Sequence, residues 1–331
     1  MLKVDTVELE ETLSPLHTVF STALRNVSEI SSLSIRIQSS EGKIAQGDCV
    51  ATPAIMGDAY DDLKRSLNEV AIPELKAVRE ISVDDAKHFA RNLPIPSSAR
   101  AAVDCALWSF FNNSAPVRIK TDVTIPLCAV EDFKKMAEHR VQEGFTTLKI
   151  KVDQELMSRL EERIRISTQL SQKPLKVRLD PNQSWSFAFA SEALTMLNKY
   201  KEVIEYVEQP LSRKDFEFNL MLRDVTDIPL MADESLMGEE DIDRIINQRA
   251  FEYVNIKIIK AGGLYPAEEM AKQLSHAGFK VSVGSMMESE RGVRAAALLA
   301  HRVNSEAIHD LDAAWWLRDT QLKYVQGILH T

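Results

Sequence analysis

Glycine is scarce, at 11 of 331 residues, and no two glycines form a GxG pair. That excludes the dinucleotide-binding fingerprint and the Walker A loop, both of which need close backbone approach to phosphate. HExxH, GxSxG and EF-hand patterns are also missing. The three cysteines, Cys49, Cys105 and Cys128, are odd in number and far apart. Neither a disulfide framework nor a CxxC zinc site is expected, and a reducing cytoplasm is the simplest home. No apolar run reaches the roughly 18 residues of a membrane span. The start, MLKVDTVELEETL, lacks the apolar stretch of a signal peptide. Basic residues are outnumbered, 40 Lys+Arg against 49 Asp+Glu, for a net charge of −9. That argues against nucleic acid, because phosphate binding draws on an excess of Lys and Arg.

With 45% apolar and 27% charged residues, the chain can bury a substantial core. At roughly 100–200 residues per domain, one large or two modest domains are expected. Residues 1–60 read as β-rich, because VDTVELEE and SSLSIRIQ alternate. Residues 58–92 read as helical, with Pro73 interrupting. LPIPSS (93–98) is a break, after which Ser97 or Ser98 can cap the helix ARAAVDCALWSFF. Strand followed by helix gives an α+β module.

After Pro116 short apolar strands alternate with amphipathic helices. Eight strands are expected, over 123–130, 146–152, 175–180, 204–209, 229–234, 253–259, 279–284 and 307–312. Alternation of this kind implies a parallel sheet, and eight units are the count of a β/α barrel. An open doubly wound sheet is the alternative, but its Gly-rich first turn is missing. In a barrel, chemistry sits at the C-terminal ends of strands.

Those ends are polar here. Lys149 and Lys151 share one face of the second strand, because side chains alternate along a strand. The next three strands end in Asp180, Glu208 and Asp233. One such carboxylate alone would read as a helix cap. Three on consecutive strands, beside two lysines, suit a hard cation, best Mg2+. The sixth strand carries Lys257 on the face of Asn255. Lys260 faces the other way if the strand continues, or begins the loop. Strands two and six are opposed in an eight-stranded barrel, so Lys151 and Lys257 face each other across the mouth. The last strand ends in Asp310 and Asp312, again on one face. Two like charges need a cation, and a substrate ammonium is a natural one.

TTLKIKV, VRLDPNQSW, YVEQPL, MADES, VNIKIIKAGG, VGSMMES and HDLDAA run in order from residue 146 to 314. This series resembles the enolase superfamily, in its muconate lactonising subgroup, and most closely the dipeptide epimerases. FSTALRN, AAVDCALW and TDVT resemble the family too, whereas Ser109 stands where an Asp is common. The resemblance implies an α/β fold, a modified TIM barrel, (β/α)7β, with an α+β capping domain. It divides the chain into a cap over 1–116 with a specificity loop around 16–28, a barrel over 117–314, and a short C-terminal segment, 315–331, returning to the cap.

The implied activity is Mg2+-dependent epimerisation of a dipeptide, L-Ala-D/L-Glu, by 1,1-proton transfer at the C-terminal residue. Lys151 and Lys257 are the implied acid and base, with Lys149 stabilising charge. Asp180, Glu208 and Asp233 are the implied ligands of one Mg2+. Arg25, Thr124, Lys149, Ser285, Met286, Asp310 and Asp312 are the implied substrate contacts, with Asn182 and Glu234 orienting the groups around them. The aspartate pair separates dipeptide epimerases from N-acyl amino acid racemases, o-succinylbenzoate synthases and muconate cycloisomerases, the alternatives within the subgroup. A catalytically silent relative is the alternative outside enzymes. A dipeptide is the implied partner, murein-peptide metabolism the implied setting, and self-association into a homo-oligomer is left open.

Overall fold

The computed structural model describes residues 1–78, 80–112, 115–170 and 175–331. An antiparallel sheet opens the chain. It comprises β1 (Leu2–Ser21), β2 (Asn26–Ser39), β3 (Ile44–Val50) and β4 (Glu80–Ile81), in the order β3-β2-β1-β4. The stretch 16–28 is therefore mostly strand, not loop. Only Thr22–Arg25 turns, and there Thr22 Oγ1 accepts from the Leu24 and Arg25 amides. Pairing of β1 with β2 is irregular between Pro15 and Phe20. Within that gap Leu16 bridges Leu317 instead, and the Pro15 carbonyl accepts from Arg318 N.

Pro73 does not break its helix. Tyr60–Ser66 runs through a π-turn, Leu67–Ala71, into Ile72–Ala77. Ile72 N donates to Leu67 O, five residues back. The widened turn gives the proline ring the room that an α-turn denies it. Arg79, also within the stretch expected to be helical, lies outside the described residues. The helix Ser97–Phe111 has Pro96 at its N-cap, and neither serine caps it. Ser98 is buried instead. This alanine-rich helix lies close against β3, and a Cβ at Gly47 would stand 2.2 Å from Ala102 O. One apolar cluster, including Leu33, Ile35, Leu67 and Val103, fills the space between this sheet and its helices.

After a short strand, β5 (Arg118–Lys120), seven parallel strands follow in sequence order. They are β6 (Val123–Ile125), β7 (Thr147–Lys151), β8 (Lys176–Asp180), β9 (Ile204–Glu208), β10 (Leu230–Ala232), β11 (Tyr253–Lys257) and β12 (Lys280–Gly284). The expected first strand, 123–130, stops at Ile125 because Pro126 has no amide hydrogen to donate. The expected eighth strand, 307–312, is reduced to two parallel single-residue bridges, Thr121 to His309 and Gly284 to Asp310. They join β12 back to the approach to β6 and close the barrel. A second apolar cluster, rich in Val, Ile and Leu, lies largely between the strands and the surrounding helices.

Beyond the barrel, Trp316 packs edge-on against Phe20 with ring centroids 5.0 Å apart. The chain then forms a hairpin of β13 (Lys323–Val325) and β14 (Ile328–His330), and β14 pairs with β5. Residues 315–331 thus meet the long hairpin through Trp316, Leu317 and Arg318. No helix among the described residues is long and apolar enough to cross a membrane.

Candidate active site

Strand alternation sends Lys149 and Lys151 of β7, Asp180 of β8 and Glu208 of β9 into the barrel, where all are buried. Lys149 Nζ stands 3.0 Å from Asp180, 2.7 Å from Glu208 and 2.8 Å from Asp310. Lys151 Nζ stands 2.5 Å from Asp180 Oδ2 and 3.0 Å from Asn182 Oδ1. On the opposite side, Lys257 Nζ stands 2.7 Å from Asp233 Oδ2. A Cβ at Gly284 would meet Asn255 Oδ1 at 2.5 Å and Lys257 Cε at 2.9 Å, so β12 needs glycine there to pass these side chains.

Lys260 departs from the expected placement. The chain leaves β11 at Lys257 and makes one helical turn, Ile258–Ala261, ended by Gly262 with φ of 85°. That turn swings Lys260 back, so that its ammonium donates to Asp233 Oδ1 (2.5 Å), Asp233 O (2.6 Å) and Asn255 O (3.0 Å). Each oxygen of Asp233 is therefore held by a different lysine. The spacing of three followed by Gly-Gly was the available signal for a helical turn.

The aspartate pair divides its roles. Asp310 is tied to Lys149, whereas Asp312 Oδ2 accepts from Thr124 N (2.7 Å) and Trp316 Nε1 (3.1 Å). Both line the same cavity as Lys151 and Lys257. Thr124, Lys149, Ser285 and Met286 line it too, with Phe20, Thr22, Leu24 and Arg25 entering from the hairpin tip. Arg25 makes no ion pair among the described residues. Burial lowers the pKa of its guanidinium. Such a cation is placed to receive an anion entering the cavity.

Gln209 was not singled out from sequence. Its Oε1 accepts from the Asp233 and Ser235 amides (3.2 and 2.9 Å), and its Nε2 donates to Leu211 O and Ser235 Oγ. The side chain thereby sets the turn that aims Asp233 and Glu234. Gln209 and Asn182 both have positive φ, 40° and 46°. Strained backbone of this kind gathers where side chains must be aimed.

The charges are interlocked. Burial alone would lower the Lys149 pKa, but Asp310, Glu208 and Asp180 raise it well above the ordinary value. Lys257 is likewise raised: burial is the largest single influence and opposes its charge, but Asp233, Glu208 and Asp310 together outweigh it. Burial raises Glu208, and Lys149 only partly offsets this. Glu234 is pushed up to about 8 by burial, then by Asp233 and Asp180. Asp312 is raised by burial and then by Asp310.

Among the described residues, no three Asp, Glu, His or Cys side chains stand as a ready metal cage. The reason is local, because Lys149 lies between Asp180 and Glu208 while Asp233 is turned to Lys257 and Lys260. The donor chemistry still suits a hard divalent cation, with three carboxylates on consecutive strands. Glu208 Oε2 is buried and close to Lys149 Nζ, yet it accepts no well-aligned hydrogen bond among the described residues.

Residues 132–330 match the enolase C-terminal domain-like family. The chain belongs to that family. It is similar to L-Ala-D/L-Glu epimerase of Bacillus subtilis strain 168, 30% identical over 332 residues, covering 96% of this chain and 90% of that one. A solved substrate-liganded complex of the Bacillus subtilis L-Ala-D/L-Glu epimerase aligns with a TM-score of 0.91 at 29% identity, covering 99% of this chain and 96% of that one. Dipeptide epimerase from Enterococcus faecalis V583, complexed with Mg and L-Leu-L-Tyr, aligns at 0.87 and 24% identity, covering 99% and 97%, and shares the fold. The expected architecture, a modified enolase-family barrel with an α+β cap, is the one found.

Proposed function

We propose that this enolase-family protein is an isomerase, a dipeptide epimerase that inverts the α-carbon of the C-terminal residue, with L-Ala-D/L-Glu as its substrate. One observation carries this reading. Lys151 and Lys257 enter a single cavity from β7 and β11, opposite walls of the barrel, and Asp310 and Asp312 line the same cavity. A carbon held between two amines can lose a proton to one and gain a proton from the other on its opposite face.

In one direction Lys151, as free amine, takes the α-proton, and Lys257, as ammonium, returns one. The C–H bond broken on one face is replaced by a C–H bond on the other, and the two lysines exchange protonation states. The reverse direction exchanges their roles. Negative charge grows on the substrate carboxylate as the proton leaves, and the Lys149 ammonium is placed to stabilise it. Asp180, Glu208 and Asp233 would hold one Mg2+ ion, whose chemistry is Lewis-acid stabilisation of that same carboxylate. The Mg-containing structure of the Enterococcus faecalis relative supports this choice of ion.

Asp310 and Asp312 would bind the ammonium at the dipeptide's N-terminus, and Arg25 a side-chain carboxylate on its C-terminal residue. Thr124, Ser285 and Met286 complete the walls, and Asn182 and Glu234 orient the groups around Lys151. We place the enzyme in the cytoplasm, acting on murein-derived peptides.

The test is Mg2+-dependent exchange of the α-proton of L-Ala-L-Glu in D2O, followed by NMR, beside a dipeptide panel and N-succinyl amino acids. Exchange confined to dipeptides is the expected result. Exchange of N-succinyl amino acids alone would transfer the enzyme to the racemases, and none at all would leave it catalytically silent.

A further inference from the structure

The barrel axis beneath the lysines is unusually polar. In β/α barrels this level is generally packed with bulky branched apolar side chains. Here, two residues back from Lys149 on the same face, stands Thr147. In the same way Tyr206 precedes Glu208, Ser282 precedes Gly284 and Asp122 precedes Thr124. Thr147 Oγ1, Tyr206 Oη, Ser282 Oγ and Asp122 Oδ1 are all buried without a hydrogen-bond partner among the described residues. One level up, Asn255 Oδ1 shares that condition, and Glu208 Oε2 accepts no hydrogen bond although the Lys149 ammonium lies 2.7 Å away. These six atoms come from around the barrel wall and face one axis.

The neighbouring cation cannot serve them. Arg178 already donates through Nε to Glu205 (2.8 Å), through Nη1 to Asp122 Oδ2 (2.7 Å) and through Nη2 to Ile308 O (2.8 Å). Buried hydroxyls are rarely left unpaired, because without a partner nothing offsets the cost of losing their hydration. Below them Arg178, Tyr206 and Ser282 border an open cavity of about 410 Å³ at the N-terminal mouth of the barrel, walled by Tyr253, Phe279 and Lys280. This cavity shares no residue with the one that holds Lys151 and Lys257.

We propose that a file of ordered water molecules fills the barrel axis from this cavity to the underside of Glu208 and Asn255. The chemistry of these atoms selects water. Three of the six atoms are neutral hydroxyls, which both donate and accept. The other three are lone acceptor oxygens whose side-chain partners are already engaged, Asp122 with Arg178 and Asn255 with Glu208. Each water needs two or more such partners, and strands contributing a polar atom every second residue supply them. The file gives the catalytic level a contact with solvent that does not pass the hairpin tip.

Two measurements test it. The first is a high-resolution crystal structure of the full chain. Water density within hydrogen-bond distance of Tyr206 Oη, Ser282 Oγ and Thr147 Oγ1 is expected; a dry axis, or density of a larger molecule, would overturn the proposal. The second is calorimetry of Thr147→Val and Tyr206→Phe, which delete a hydroxyl and keep its shape. A hydroxyl bonded to water is missed when removed, so Tm should fall by about 2 °C or more. A dry unpaired hydroxyl is a liability, so a constant or raised Tm in both variants would refute the water file.

Discussion

Lys260 reaches back to Asp233, placing its ammonium 2.5 Å from Oδ1 and 2.6 Å from the same residue's carbonyl oxygen. Lys257 holds the other oxygen at 2.7 Å. Of the two, Lys257 lines the cavity shared with Lys151 and Lys260 does not. Lys260 is thus a positioning residue for the carboxylate. In Lys260→Met, Mg2+ affinity measured by titration calorimetry should fall about 10- to 100-fold, the range seen when groups that orient a ligand are removed. Lys260→Arg should restore part of it. Wild-type affinity in the methionine variant would show that Asp233 needs no second lysine.

The two lysines that line the cavity, Lys151 and Lys257, should behave differently from Lys260. Lys151→Ala or Lys257→Ala should reduce epimerisation by about 10³-fold or more, since each removes the acid or base of one half-reaction. The surviving lysine should still exchange the α-proton of one stereoisomer in D2O. The check is deuterium content of the two isomers by NMR. Equal exchange of both isomers by either variant would contradict a one-lysine-per-face arrangement.

This much was legible because strand side chains alternate. KIK on β7, Asp180, Glu208 and Asp233 at successive strand ends, and the HDLD pair all follow from a period of two. The barrel was legible for the same reason, through strands and helices alternating at regular intervals. The rest depended on geometry that has no period. Lys260 needed a single helical turn after β11, and Pro73 a π-turn that spared its helix. The long hairpin was hidden because Pro15 and His17 interrupt the alternation of β1. Its upper arm is held partly by Leu317, some three hundred residues away in sequence. The pairing of Lys149 with three carboxylates at once also required the closed barrel, which brings Asp310 next to β7.

Arg25 projects from the hairpin tip into the cavity with no ion pair among the described residues. A charge-assisted hydrogen bond contributes about 1.5–3 kcal/mol, or roughly 10- to 100-fold in binding. Arg25→Ala should therefore lose about that factor in kcat/KM on Ala-Glu and less than about threefold on Ala-Leu. Steady-state kinetics on the two dipeptides decide it. Matching losses on both would remove Arg25 as the selector and point to a general role of the hairpin in closing the cavity.

If Asp310 binds the dipeptide ammonium as proposed, Asp310→Asn should raise KM for dipeptides more than it lowers kcat. The loss should vanish for an N-acetylated dipeptide, which has no ammonium to bind. An equal loss on both would mean that Asp310 acts only through its 2.8 Å contact with Lys149.

His309 ties stability to pH. Its ring is buried in the barrel closure, where Val283 N donates to Nδ1 at 3.0 Å and Nε2 lies 2.9 Å from Asn304 O. This pattern requires the neutral ring with its proton on Nε2. Burial pushes the pKa down to about 4 from the ordinary 6.5. The Asn304 contact opposes that fall, and the Arg178 charge adds to it. With the folded value below the unfolded one, the unfolded chain binds the proton first. The cost is absent above pH 6.5, grows as pH falls, and is complete near pH 4. Its size is on the order of 3 kcal/mol, because each tenfold difference in proton affinity between the folded and unfolded ring is worth about 1.4 kcal/mol. His309→Gln removes the titrating group. Urea midpoints at pH 7 and pH 4.5 should therefore differ less in the variant than in the wild type, whatever the variant's stability at pH 7. An identical acid loss in both proteins would assign it to the carboxylates tied to Lys149 and Lys257 instead.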